Sequence, residues 1–166
     1  MLRGQTWGAA ALALGMAAGT ACSTGDGDVD GDVTPAQAYV AIIEWEVDQQ
    51  EPTINAAGEV ELPVIFVAAA GGGTIDIGVQ ASVVEQMIDT ATIRFADDPA
   101  DAINEGIPDE PVRNDGVLLV VADIPPPAPT IEVTTARATS STDSIAWGLT
   151  IEGNDTGATV VNAEER

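Results

Sequence analysis

The sequence predicts a mainly β domain, antiparallel and β-sandwich-like, with about seven or eight short strands and one or two short helices. Two observations carry this. From residue 38 onward, apolar residues recur with period two or as short unbroken runs. Between these segments lie turn signals: Asn55 and Gly58, Gly71-Gly72-Gly73, Asn114-Asp115-Gly116, and prolines at 125, 126, 127 and 129. The alternative is an α+β domain with its helices on one face of a single sheet.

The elements follow in chain order. Tyr39, Ala41, Ile43, Trp45 and Val47 alternate with residues that include Glu44 and Glu46, which predicts a half-buried first strand. Residues 62–70 are a continuous apolar run, as in a central strand buried on both faces, and the glycine triplet then turns the chain. Residues 74–79 form a short third strand. Val79, Val83, Val84, Met87 and Ile88 fall at helical spacing, which predicts an amphipathic helix over 80–89. Residues 90–96, with β-branched Thr92 and Ile93 and aromatic Phe95, return to strand. Asp98 then has the character of an N-cap, with Pro99 at N1, Asp101 in the first turn and Gly106 as the left-handed closing residue. Residues 117–122 form a second fully apolar strand. Ile131, Val133, Thr135 and Arg137 share one face of the next. Residues 144–152 place Ile145, Trp147, Leu149 and Ile151 on one face, and 159–161 form the last strand.

Composition excludes many functions. The 166 residues carry 27 Asp and Glu against five Arg, with no Lys and no His, a formal charge of −22. Nucleic-acid binding rests on clustered cations, and these five arginines are scattered singly. Without His there is no imidazole base and no His-ligated zinc. Without Lys there is no Schiff base and no P-loop lysine. Cys22 is the sole cysteine, which excludes an intramolecular disulfide. A hydrophobic fraction of 45% opposes global disorder.

The amino terminus reads as a targeting segment. Arg3 precedes an apolar run over 7–18, which is shorter than the roughly 20 residues a membrane span needs. Small residues Gly19, Thr20 and Ala21 lead into Cys22. Ala18-Gly19-Thr20-Ala21-Cys22 resembles the lipobox of bacterial lipoproteins, with Gly19 where a branched aliphatic residue is usual. The resemblance implies a signal peptide over 1–21 and a Cys22 that carries fatty-acyl groups such as palmitate as the first mature residue. Each buried CH₂ of such an anchor contributes about 0.8 kcal/mol. Plain cleavage after Ala21 and secretion is the alternative. Residues 22–37 then read as an acidic flexible tether and 38–163 as a single β-rich domain.

Several constellations could carry chemistry. Asp26, Asp28 and Asp30 with Gly31 match the start of an EF-hand loop, but its twelfth position holds Gln37 in place of the bidentate Glu. Asp97, Asp98 and Asp101 cluster at a strand end, where carboxylates suit Ca²⁺, although a helix cap explains Asp98 equally well. Glu44 and Glu46 on a strand would share a face about 7 Å apart, a spacing compatible with inverting glycoside hydrolysis. The few aromatic residues offer no sugar platform, so both glutamates read as a solvated strand face and Trp45 and Trp147 as core anchors. Asp155-Thr156-Gly157 resembles the catalytic triplet of retroviral-type aspartic proteases. That family runs an apolar strand into its Asp, whereas Gly153-Asn154 precedes it here, so a turn between the last strands is expected. Gly71-Gly72-Gly73 lacks nucleotide-cradle spacing, and Ser140, Ser141 and Ser144 have no base to activate them. Arg94 and Arg137 are expected in cross-strand ion pairs.

The expectation is therefore a membrane-tethered extracytoplasmic lipoprotein whose domain is a non-enzymatic binding or structural module of the cell envelope. Its partners would be the membrane, through lipid on Cys22, and an envelope protein or small ligand, with no cofactor. The alternatives are a calcium-dependent adhesion or ligand-binding domain and, third, a carboxylate-based hydrolase.

Overall fold

The computed structural model describes residues 31–166. Helix α1 spans Pro35–Asp48. Its start is fixed by a capping box. The Thr34 hydroxyl accepts from the Gln37 amide at 3.4 Å, the Gln37 Oε1 accepts from the Thr34 amide at 2.9 Å, and Pro35 opens the first turn. This corrects the strand expected over 39–47. Residues 38–43 are apolar throughout, so their alternation fits period two and period 3.6 alike. The buried set Ala38, Tyr39, Ala41, Ile42, Ile43 and Glu46 follows the helical period, and Ile42, off the strand pattern, is wholly buried.

The mainly β domain is observed, with eight strands among the described residues, arranged as a sheet with helices packed on it. A small ribbon pairs β1 (Thr53–Ile54) with β2 (Val60–Glu61) around a turn in which Asn55 Oδ1 accepts from the amides of Ala57 and Glu59. The main sheet has six strands: β3 (Val64–Ala69), β4 (Thr92–Phe95), β5 (Val117–Val121), β6 (Thr130–Ala138), β7 (Ser144–Asn154) and β8 (Gly157–Glu165). Their order is β4-β3-β5-β6-β7-β8. β5 to β8 form an antiparallel meander, while β3 runs parallel to both its neighbours. Parallel pairing needs crossovers. Helix α2 (Ile77–Met87) supplies the one between β3 and β4, on the same face as α1. The connection from β4 to β5 crosses the opposite face, where Ala102, Ile103 and Val112 pack on Phe66, Ala68 and Leu118. β3 and β5 are thus buried on both faces, as their unbroken apolar runs predict.

Local caps shape the remaining departures. Asp76 Oδ1 accepts from the amides of Gly78 and Val79, at 2.8 and 3.3 Å, and starts α2 within the segment expected to be a third strand. The helix predicted over 80–89 is therefore real and begins three residues earlier. Asp98 caps a 3-10 turn at Pro99–Ala102 as predicted, but Ile103 closes it, and Gly106 at φ 77° belongs to the next turn.

The helix-facing core joins Ile42 and Ile43 of α1, Val83 and Met87 of α2, and Leu119, Val133, Leu149 and Ile151 of the sheet. Val33, ahead of α1, is wholly buried, and its amide donates to the Ala128 carbonyl at 2.8 Å. The folded part of the chain therefore takes in Val33, with Gly31 packed against Gly153.

Gly116 marks the tightest approach of backbone to backbone at the parallel pair. A Cβ there would lie 2.6 Å from the Val64 carbonyl oxygen at the start of β3. Gly116→Ala is expected to cost about 1–3 kcal/mol through overpacking, seen as a lower urea midpoint with unchanged m-value. An unchanged midpoint would mean that the ends of β3 and β5 separate freely.

Candidate functional site

Two features concentrate polar chemistry: a buried ion pair beneath α1, and a crevice at the carboxyl ends of β3 and β5. The pair arises because the last turns of α1 direct Glu46 onto the sheet, where it is wholly buried. Arg137 of β6 lies on the same face as Ile131 and Val133, and its Nε donates to Glu46 Oε1 at 2.7 Å. Gln50 Nε2 donates to the same oxygen at 3.1 Å, while Oε2 is buried without a hydrogen-bond partner among the described residues. The rings of Trp45 and Trp147 meet edge to face nearby in sequence, with centroids 5.4 Å apart.

This geometry corrects the reading of Glu44 and Glu46 as a shared strand face. Positions two apart on a helix point in different directions, and Glu44 is exposed while Glu46 is enclosed. Arg137 pairs between layers, with a helix, instead of across strands. Arg94 instead places its guanidinium over the Phe66 ring, 5.7 Å from the centroid.

Cys22, Asp26, Asp28 and Asp30 lie outside the described residues. Asp97, Asp98 and Asp101 are exposed, and Asp98 Oδ1 is engaged with the Ala100 amide at 2.9 Å. Among the described residues, no three His, Cys, Asp or Glu side chains gather where they could hold a metal ion. Asp155 and Thr156 form the turn between β7 and β8, with Asn154 Oδ1 accepting from the Thr156 amide at 2.9 Å, as the turn reading expects. Ser140 is spent on local geometry, accepting from the amides of Thr142 and Asp143.

The crevice was not visible in the sequence. β3 has parallel neighbours on both sides, and its crossover leaves on the face opposite the connection that returns to β5. Open sheets leave a hollow at the carboxyl ends of such strands. Here it has a volume of about 320 Å³ and is lined by Tyr39, Asp76, Asp123, Ile75, Val79 and Ile124, among others. The glycine triplet shapes its rim: Gly71 and Gly72 take φ of 68° and 73°, which side-chain-bearing residues rarely adopt, and Gly73 lines the hollow. Tyr39 is only 6% exposed, and its hydroxyl makes no hydrogen bond to any described residue and opens onto the hollow. Burial, and then the negative charge of Asp123, raise the phenol above its ordinary value near 10. The hydroxyl therefore stays protonated at neutral pH and can donate as well as accept.

Removing Arg137 tests the buried pair. Arg137→Met would leave the Glu46 carboxylate enclosed with Gln50 alone, at an expected cost of about 3–5 kcal/mol in urea denaturation at pH 7. Adding Glu46→Met to it is expected to recover most of that loss, because no charge is then left buried. A single variant within about 1 kcal/mol of the parent would show that water reaches Glu46. In comparisons with known proteins, no protein-family model matches the chain, no curated protein is similar to it, and no solved structure matches it.

Proposed function

We propose that the protein is a membrane-tethered extracytoplasmic bacterial lipoprotein, lipid-anchored through Cys22, whose domain is a non-enzymatic binding module of the cell envelope. The observation that carries the reading is the sequence Ala18-Gly19-Thr20-Ala21-Cys22, which puts the chain's sole cysteine where lipidation requires it. The acidic, glycine-rich stretch after Cys22 suits a solvated tether, since it offers almost nothing for a core.

The domain supports binding more than catalysis. The chain has no His or Lys, and its enclosed carboxylate, Glu46, is already matched to Arg137. Arg137 and Gln50 both donate to the same oxygen of that carboxylate, and it lies beneath α1, not among the residues that line the crevice. The crevice at the ends of β3 and β5 is a hollow with an unmatched hydroxyl, which suits recognition of a small ligand. Pro35, in the first turn of α1, also lines it.

Expression of the full chain in a bacterial host tests the anchor. The mature protein is expected in the membrane fraction, with an intact mass exceeding that of residues 22–166 by a diacylglyceryl and an acyl group. Cys22→Ser is expected to abolish both the added mass and the retention. A free Cys22 thiol, or a mature chain that retains Met1, would overturn the reading.

A further inference from the structure

We infer that the crevice at the carboxyl ends of β3 and β5 binds an aliphatic primary ammonium, held between the Tyr39 hydroxyl and the carboxylates of Asp76 and Asp123. The inference rests on the binding-module reading and adds the chemical class of the ligand; it does not depend on the lipid anchor.

Tyr39 is 94% buried as a residue, yet its hydroxyl makes no hydrogen bond to any described residue and opens onto the hollow that Tyr39 lines, so the one polar atom of an enclosed side chain is left to a ligand or to solvent. The two carboxylates beside it likewise form no ion pair with any described residue. There is no lysine, and each described arginine is occupied elsewhere. Arg94 lies over Phe66, Arg113 donates to the Ile103 carbonyl at 3.2 Å, Arg137 holds Glu46, and Arg166 donates to Thr134 at 3.3 Å. Asp76 already answers the positive amino end of α2 with Oδ1, so its Oδ2 and the whole of Asp123 remain for a ligand.

The chemistry of the acceptors selects the ligand. An –NH₃⁺ group has three N–H donors, and the crevice offers three acceptor groups: one phenolic oxygen and two carboxylates. A quaternary ammonium has no N–H for the hydroxyl. Apart from Thr74, the side chains on the rest of the wall are apolar, among them Ile75, Val79 and Ile124, and suit an alkyl body. A volume of about 320 Å³ lies at the small end of ligand pockets, so the ligand is a small molecule. The surplus of acid over the whole chain raises the local concentration of any cation and speeds its arrival.

The test is calorimetric titration of the full chain in detergent, at 150 mM NaCl, with n-butylammonium, n-butanol, tetramethylammonium and Ca²⁺. Butylammonium is expected to bind saturably at one site per chain, and butanol and tetramethylammonium at least tenfold more weakly. Asp123→Asn and Tyr39→Phe are each expected to weaken butylammonium at least fivefold; both keep size and shape, and Asp123 is exposed, so folding is retained. Non-saturating heats that the two variants leave unchanged would mean a diffuse counterion atmosphere and would overturn the site. Tight Ca²⁺ binding lost in Asp123→Asn, without amine binding, would overturn it in favour of a metal. Either negative result leaves the acylated mass of Cys22 untouched, so failure of the ligand and failure of the anchor are told apart.

Discussion

Helix α1 must lay an apolar strip and one carboxylate on the same sheet, and the rest of the domain is arranged around that demand. Ala38, Ile42 and Ile43 meet the central strands, and Glu46, on the same strip, reaches Arg137 on β6. Burying a side chain of this size contributes about 1.5–3 kcal/mol for each large aliphatic residue. An ion pair in the same interface contributes little net stability but penalises any other seating, because a shift of one turn would leave two charges unmatched. The apolar contacts thus hold the helix down, and the pair fixes where along the sheet it sits.

That placement decides what else is possible. With α1 over the sheet, its first turns bring Tyr39 to the carboxyl ends of β3 and β5, beside Asp76 and Asp123. The capping box at Thr34 and Gln37 and the buried Val33 fix the same end of the helix. The crevice is therefore built from three separate stretches of chain: the start of α1, the loop after β3 and the loop after β5. Its polar groups line one hollow because the parallel pair β3–β5 turns both loops to one side.

Much of this fold was legible in the sequence. The continuous runs at β3 and β5, the alternation in β6 and β7, the cap at Asp98 and the turn at Asn154–Gly157 all followed from local patterning, which the tertiary structure had no reason to override. The first element failed for a physical reason. Ile42-Ile43 and Tyr39-Val40 are apolar on both candidate faces, so periodicity could not choose, whereas the signal that could, Thr34-Pro35-Ala36-Gln37, lay just ahead of the stretch. The parallel pairing was hidden because a helix between two strands announces a crossover only once both strands are placed in one sheet. The sites were less legible still. Glu46 and Arg137 are 91 positions apart and meet across layers, and Tyr39 and Asp123 join through a loop geometry that no motif encodes.

If these contacts hold the domain together, α1 unfolds with the sheet as one cooperative unit. Native-state hydrogen exchange of the full chain tests it most directly. The amides of Ile42 and Ile43 should open with the same free energy as those of Leu119 and Val133, equal to that of global unfolding. Exchange of the α1 amides at a much lower free energy, with the sheet still protected, would show the helix to be an independent flap and would contradict the account.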